Sequence, residues 1–113
     1  ARDRRSMGKP IIEHQAVGFR LAELATRLEA ARQLVLHAAS LKSQKIPCMK
    51  EASMAKLFSS EAAEFVISGA IQTLGGYGYL EEFGVAKIYR DARVCQIYEG
   101  TSDIQRMIIA RLL

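Results

Sequence analysis

The sequence has no tryptophan, and it contains only two prolines and two cysteines among 113 residues. Cys48 and Cys95 lie far apart, and neither has a cysteine or histidine nearby at metal-ligand spacing. Zinc and disulfide interpretations are therefore weak, and we expect inert thiols in a reducing compartment. No apolar run approaches the roughly 20 residues that a transmembrane helix needs. We therefore expect neither a membrane span nor a signal or transit segment.

Charge of one sign is not concentrated anywhere in the chain. The 16 basic and 12 acidic residues give a net charge of +4 and are interleaved along the sequence. A nucleic-acid-binding protein more often gathers its basic residues on one stripe, with aromatic residues between them. We therefore expect no nucleic-acid partner. Half of the residues are hydrophobic and a quarter are charged, which predicts one globular domain over residues 1–113.

Both ends of the sequence look like cuts through a longer chain. It begins at Ala1 without an initiator methionine and ends at Leu113 inside an apolar helical run. Neither end carries a clear helix-start or helix-stop signal. We therefore expect a domain excised from a longer protein, which would leave a functional site only partly present.

Apolar residues recur at helical spacing through most of the chain. From Ile11 to about Ser43 they alternate steps of four and three residues, which predicts one long amphipathic helix. Pro10 suits the first helical position, because its missing N–H needs no partner there. The residues of this apolar seam are Val17, Leu21, Leu24, Leu28, Ala31, Val35 and Ala38.

A second long helix is predicted from Pro47 to about Leu74, after a polar connector at residues 43–46. It is rich in alanine, serine and glycine, whose small side chains let neighbouring helices approach closely. We expect residues 75–78, which read Gly-Gly-Tyr-Gly, to end this helix.

Two shorter helices complete the prediction. One spans Glu81 to Arg93, and a connector at residues 94–100 follows it. The other begins at Ser102, which together with Gln105 fits the S-x-x-Q capping box. No strand pattern competes with these helices. The sequence therefore predicts an all-α fold, an up-and-down four-helix bundle.

The stretch from Tyr98 to Ser102 is the most informative part of the sequence. Glu99 precedes a glycine and two hydroxyl residues suited to helix capping, which predicts a turn leading into a helix N-terminus. Backbone N–H groups are unpaired there, and the helix dipole is positive. Removal of a proton next to a carbonyl needs such a base beside oxyanion-stabilising amides. The alternative is an ordinary exposed loop glutamate.

Three further segments are weaker candidates. The spacing of residues 75–78 favours a helix C-cap, and the alternative is backbone close to a phosphate or cofactor, with Gln72 as a nearby donor. The basic segment Arg4–Lys9 suits either an anion site or a flexible surface strand of chain. His14 and Gln15 lie in the first turns of a predicted helix, where surface or packing roles are more common than ligand binding.

Taken in order, these motifs resemble the C-terminal helical domain of the acyl-CoA dehydrogenases. The resemblance covers essentially the whole chain, and five motifs in register are far more specific than any one of them. The motifs are Arg4-Arg5-Ser6-Met7-Gly8-Lys9-Pro10-Ile11, Glu13-His14-Gln15, Gln72-Thr73-Leu74-Gly75-Gly76-Tyr77-Gly78, Tyr89-Arg90-Asp91-Ala92-Arg93 and Ile97-Tyr98-Glu99-Gly100-Thr101-Ser102.

The resemblance implies a catalytic role for one residue. Glu99 matches the base that removes the α proton of an acyl-CoA thioester, while the β hydride passes to FAD. The Glu99 amide would hold the thioester carbonyl and Gly100 would lie beside it, so both are implied substrate-binding residues. The resemblance also implies a homotetrameric, three-domain flavoprotein in which this bundle is the last domain.

The resemblance further implies contacts to FAD. Thr101 and Asp103 match positions that touch the flavin nucleotide, although the family more usually has an amide or a glutamate at position 103. A second set matches positions that reach the FAD of a neighbouring subunit. The residues of that set are Arg4, Ser6, Gln72 and Gly76, with His14 and Gln15 as a further FAD-proximal pair.

Partners and alternatives follow from the same resemblance. It implies an acyl-CoA substrate and an electron-transfer flavoprotein as electron acceptor, in a bacterial cytoplasm or a mitochondrial matrix. No metal is implied. An acyl-CoA oxidase on the same scaffold and a non-catalytic helical oligomerisation module both stay open. We expect the excised domain to be inactive by itself.

Overall fold

The computed structural model describes residues 1–113 and is an elongated bundle of 54 × 24 × 23 Å. The predicted all-α fold class is confirmed, and no helix is both long and apolar enough to cross a membrane. Short 3₁₀ turns lie at Ile11–Glu13, Glu81–Phe83 and Val94–Gln96. The remaining elements are β1 (Arg5–Ser6), β2 (Lys9–Pro10), α1 (Gln15–Ser43), α2 (Met49–Leu74), α3 (Gly76–Tyr79), α4 (Val85–Arg93) and α5 (Ser102–Arg111).

Helices α1 and α2 pack antiparallel along a seam of mostly small residues. The facing residues along this seam are Leu24 with Gly69, Ala31 with Ala62, and Ala38 with Ala55. A step of seven residues along α1 therefore matches a step of seven residues in the reverse direction along α2. Seven residues are about two helical turns, so the same faces of the two helices stay in contact along the seam. All of these residues except Gly69 are buried. The seam is the main core of the domain.

The predicted starts of the two long helices were wrong by a few residues. Pro10 is not the first helical residue but pairs with Arg5 in a two-residue antiparallel hairpin, which the sequence pattern had not indicated. Met7 and Gly8 have φ values of 51° and 82°, the left-handed conformation that a tight hairpin turn uses. Helix α2 likewise begins after Pro47, at Met49, because Cys48 is the non-helical N-cap with φ of −141° and ψ of 29°.

The two glycine-rich regions also differ from the prediction. Gly75 ends α2 with φ of 64°, as expected for a helix stop, but the next four residues add the single turn α3. The helix predicted over Glu81–Arg93 is broken at Gly84, whose φ of 72° is left-handed. A 3₁₀ turn therefore precedes the shorter helix α4.

Much apolar surface stays uncovered. Leu28 and Val35, which the periodicity had assigned to the apolar seam, are 49% and 45% exposed because they flank the narrow alanine contact. Only 9 of the 113 residues are buried, while side chains as large as Phe19 and Met49 lie at the surface. Extensive exposed apolar surface is typical of faces that pack against other protein.

We expect Gly78→Ala to destabilise the fold by about 1–3 kcal/mol. A Cβ at Gly78 would lie 2.6 Å from the Ile71 carbonyl oxygen and 2.8 Å from its Cα, and backbone cannot swing aside as a side chain can. Gly76→Ala is the matched control, since a Cβ there meets nothing within 4 Å. Thermal unfolding followed by circular dichroism should show a lower Tm for Gly78→Ala alone. Equal melting temperatures would contradict the close approach.

Candidate functional site

A polar stripe of three residues on α2, Lys56, Ser60 and Glu64, holds the segment that leads to the candidate site. These residues are one helical turn apart and therefore share a face. Gln96 donates through Nε2 to the Ser60 carbonyl at 3.4 Å and also to the Glu64 carboxylate. Tyr89 donates its hydroxyl to the same carboxylate at 3.2 Å. The loop that follows Gln96 therefore starts from a fixed point on α2.

The loop itself contains two consecutive left-handed residues, Glu99 with φ of 53° and Gly100 with φ of 87°. The Gly100 carbonyl accepts a hydrogen bond from the Lys56 ammonium at 2.6 Å and another from Gln105 Nε2 at 3.3 Å. Gln105 Nε2 also donates to the Glu99 carbonyl at 3.2 Å, and this side chain is buried. Two side chains thus fix the backbone carbonyls of both residues.

The free energies of these contacts explain how the loop keeps its conformation. A left-handed backbone at a non-glycine residue such as Glu99 costs about 1–2 kcal/mol. A hydrogen bond to a charged group, such as the one from the Lys56 ammonium, contributes about 1.5–3 kcal/mol. The two contributions are of similar size, so the lysine contact is sufficient to offset the unfavourable backbone at Glu99.

The Glu99 carboxylate lies on the turn before α5, at the place that the sequence pattern predicts. The side chain is exposed and forms no hydrogen bond or ion pair within the chain. The backbone N–H of Glu99 also has no acceptor within the chain. A free carboxylate and a free N–H donor therefore come from the same residue.

The start of α5 differs from the predicted capping box. The N-cap is Thr101, whose Oγ1 accepts a hydrogen bond from the Ile104 N–H at 3.4 Å, and not Ser102. Gln105 turns back to the loop carbonyls instead of closing a capping box. Ser102 Oγ is buried without a partner. The prediction failed because two adjacent hydroxyl residues can each cap a helix, and the loop carbonyls compete for Gln105.

Two residues near Glu99, Tyr98 and Asp103, have ionisable side chains. A hydrogen bond between the Tyr98 hydroxyl and Cys95 Sγ, 3.2 Å apart, raises the pKa of Tyr98, and the charge of Glu99 adds a smaller effect in the same direction. Tyr98 is therefore a neutral phenol near neutral pH. Asp103 is exposed and forms an ion pair at 3.2 Å with Arg106, which also pairs with Glu61 on α2.

The second group of predicted site residues surrounds an open cleft of about 330 Å³ between the N-terminal hairpin and the end of α2. Arg4, Ser6, His14, Arg20 and Gln72 all line it. Neither arginine forms an ion pair within the chain, and the His14 Nε2–H donates to the Ser6 carbonyl at 3.1 Å. The Arg4 guanidinium also lies 5.4 Å from the centre of the Tyr77 ring. Two guanidinium groups without a carboxylate partner, beside a hydroxyl and an amide, form a donor set that suits a diphosphate.

Two of the predicted FAD contacts, Gly76 and Gln15, do not line the cleft themselves. Gly76, the first residue of α3, follows directly after Gly75, which lines the cleft. Gln15 is exposed at the start of α1 and does not line the cleft. No three His, Cys, Asp or Glu side chains are grouped so that they could hold a metal ion.

The structure keeps the Glu99 loop and the N-terminal cleft far apart. Lys56 contacts the loop and Gln72 lines the cleft, and both residues are on α2. At 1.5 Å per residue their separation of 16 positions corresponds to about 24 Å along the helix. A single small site within one copy of this chain cannot include both groups.

Sequence reasoning missed several residues of these sites. Lys56 and Gln96 act over 44 and 36 positions, and such pairings leave no local pattern. Arg20 belongs to none of the five motifs, so the sequence pattern does not single it out. A usable signal was present on α2, where Lys56, Ser60 and Glu64 recur every fourth residue within a helix of small residues.

The comparisons with known proteins agree on one family. The family model for the acyl-CoA dehydrogenase C-terminal domain matches residues 1–113. The chain is 51% identical over its whole length to an acyl-CoA dehydrogenase of Bacillus subtilis, and it covers 30% of that protein. It is 49% identical, again over its whole length, to the caffeyl-CoA reductase-Etf complex subunit CarC of Acetobacterium woodii, covering 30% of it.

A solved structure gives the same result. The FAD complex of PigA superposes with a TM-score of 0.96 at 34% identity, over 99% of this chain and 29% of that one. The chain therefore spans about 30% of the length of the curated relatives that it matches.

We expect Gly100→Ala to lower the free energy of unfolding by about 1–3 kcal/mol more than Gly84→Ala does. Both glycines have positive φ, so both variants pay the left-handed backbone cost. Only at Gly100 would the added Cβ also meet Gln105 Nε2, at 2.8 Å, and displace the amide from the loop carbonyls. Urea denaturation of the two variants measures the difference. Equal free energies would show that the Gln105 contact adds nothing.

Proposed function

Because this chain belongs to the acyl-CoA dehydrogenase family as its C-terminal domain, we propose that it supplies the catalytic base of an FAD-dependent enzyme. The proposed reaction is the α,β-desaturation of an acyl-CoA thioester. The observation that carries the proposal is the Glu99 loop, which presents an unpaired carboxylate and an unpaired backbone N–H from one residue. A base beside an oxyanion donor is the combination that proton removal next to a carbonyl requires.

The proposed roles of the loop residues follow from their chemistry. The Glu99 carboxylate accepts the α proton, and its N–H donates to the thioester carbonyl oxygen, on which negative charge develops. Gly100 has no side chain to obstruct the acyl chain next to this donor. FAD, when bound, would accept the β hydride, so that the thioester loses one proton and one hydride and gains a double bond. Thr101 and Asp103 lie within one turn of this loop and are proposed to contact the flavin nucleotide.

The N-terminal cleft supports a role for a second copy of the chain. Arg4, Ser6 and Gln72 provide donors for a diphosphate, but they lie about 24 Å along α2 from the Glu99 loop. We propose that these residues, with Gly76 and Gln15 nearby, contact the FAD of a neighbouring subunit in a tetramer. The uncovered apolar surface, with residues such as Phe19 and Met49, is consistent with such packing.

The proposed electron acceptor is an electron-transfer flavoprotein. The relative of Acetobacterium woodii is named as a subunit of a complex with Etf. An acyl-CoA oxidase on the same scaffold would instead pass its electrons to oxygen. Rapid reoxidation of the substrate-reduced flavin by dissolved oxygen would favour the oxidase over the dehydrogenase.

We expect Glu99→Gln in the full-length flavoprotein to slow anaerobic bleaching of the flavin by acyl-CoA at least about 100-fold, because general-base catalysis contributes that much or more. Glu82→Gln is the matched control, since Glu82 is also exposed and lies outside both groups of site residues. Flavin content should be the same in all three proteins. Bleaching of Glu99→Gln at the wild-type rate would remove Glu99 from the role of base.

We expect residues 1–113 alone to be helical, oligomeric or aggregation-prone, and inactive with added FAD. The reason is that residues 1–113 span about 30% of the length of the relatives, so most of the walls of a flavin and acyl-CoA site would come from other parts of the protein. Sedimentation and a dehydrogenase assay with added FAD and acyl-CoA check this. A well-behaved monomer would argue against the proposed packing, and measurable turnover would contradict the proposed dependence on other parts of the protein. An inactive fragment that forms oligomers would also fit the alternative of a non-catalytic oligomerisation module. The bleaching assay of Glu99→Gln in the full-length protein distinguishes the two.

A further inference from the structure

Lys56 is an unusual lysine in this chain. It is half-buried on α2, forms no ion pair with any carboxylate, and directs its ammonium to the Gly100 carbonyl at 2.6 Å. Partial removal of an ammonium from water is unfavourable unless the group gains a strong partner. Lys50, one and a half turns earlier on the same helix, is similarly half-buried but lies near Glu51 at 3.9 Å. Lys56 is therefore committed to the backbone of the Glu99 loop.

The two restrained carbonyls belong to the peptides that follow Glu99 and Gly100. A rotation of the first peptide would change ψ of Glu99 together with the φ of 87° at Gly100, and a rotation of the second would change the torsions of Gly100 and Thr101. Either rotation would change the course of the chain from Glu99 into α5, and with it the direction in which the Glu99 side chain leaves the loop. Gln105 alone holds the carbonyls by weaker, neutral contacts of 3.2 and 3.3 Å. The charged contact from Lys56 is the shorter one.

The upstream side of the loop is held by the same polar stripe but not by Lys56. Gln96 is bound to Ser60 and Glu64, which restrains where the loop begins. Removal of the Lys56 ammonium would therefore leave the loop attached at its start and at the α5 cap, while the segment that carries Glu99 would keep only the neutral contacts from Gln105. A local change in the orientation of Glu99 is expected, with α2 and α5 still in place.

We propose that Lys56 is a positioning residue, which holds the base Glu99 in its productive orientation by fixing the Gly100 carbonyl. This proposal rests on the proposed function, in which Glu99 removes the α proton. Lys56 touches neither substrate nor cofactor in this arrangement. Its loss should reduce the rate of the chemical step and should leave acyl-CoA binding nearly unchanged.

The test compares Lys56→Met, which keeps the apolar stem and removes the ammonium, with Lys56→Arg and with the control Lys50→Met in the full-length flavoprotein. Stopped-flow bleaching of the flavin at increasing acyl-CoA concentration separates the limiting rate from the Kd of the substrate. Amide hydrogen exchange of peptides covering residues 97–101 gives a readout that does not depend on activity. Glu99→Gln is measured in parallel.

The expected result for Lys56→Met is a limiting rate lower by about 10- to 100-fold, as a misplaced catalytic group produces, with an unchanged Kd and faster amide exchange in residues 97–101. Lys56→Arg should recover part of the rate, and Lys50→Met should behave as wild type. A wild-type limiting rate in Lys56→Met, or an increase in Kd alone, would overturn the proposal. Loss of FAD or of folding in both Lys56 variants would also overturn it, since Lys56 would then be needed for folding.

The parallel measurement separates this proposal from the one on which it rests. If Glu99→Gln is inactive and Lys56→Met is not impaired, only the positioning role of Lys56 is wrong. If Glu99→Gln bleaches the flavin as fast as wild type, the assignment of Glu99 as base is wrong, and a positioning role for Lys56 is then overturned with it.

Discussion

Helix α2 is the element on which the rest of this structure depends, because all four other α-helices pack against it. One face carries Ala55, Ala62 and Gly69 at seven-residue intervals, and their small size lets α1 approach closely. A second face carries the polar stripe, which binds α4, the following 3₁₀ turn and the Glu99 loop. The same helix thus fixes the core of the domain and the orientation of its candidate base.

This division of α2 into an apolar and a polar face has a consequence for stability. The seam with α1 is narrow, so few side chains are buried and large apolar residues stay at the surface. A domain with so small a core depends on its neighbours for further burial. The open N-terminal cleft has the same character, because neither Arg4 nor Arg20 pairs with a carboxylate within the chain. Both features are consistent with a domain built to be covered by other protein.

The sequence predicted the parts of the structure that depend on local spacing. The four-and-three alternation of apolar residues predicted α1 and α2, and the glycine at position 75 predicted the end of α2. The hairpin at Arg5–Pro10 was missed because two-residue strands have no periodicity. The cap of α5 was assigned to Ser102 because sequence cannot choose between neighbouring hydroxyls, whereas the folded loop selects Thr101.

The candidate site was likewise predictable only in part. The turn that carries Glu99 followed from its neighbours Gly100 and Thr101, and the ordered motifs identified the family that the comparisons confirmed. The contact of Lys56 with Gly100 was not predictable, because it joins residues 44 positions apart through a side chain that looks like any exposed lysine. The distance between the loop and the cleft was likewise not predictable, because it depends on which residues of the continuous helix α2 each of them contacts.

A crystal structure of the full-length protein with FAD and a non-reactive acyl-CoA analogue would test most directly whether Glu99 is the base. We propose that the Glu99 loop presents its carboxylate to the α carbon of the thioester. We therefore expect a Glu99 carboxylate oxygen about 3–3.5 Å from that carbon, as a near-attack geometry requires, with Lys56 Nζ still bonded to the Gly100 carbonyl. A Glu99 side chain directed away from the α carbon, with another carboxylate in its place, would contradict it.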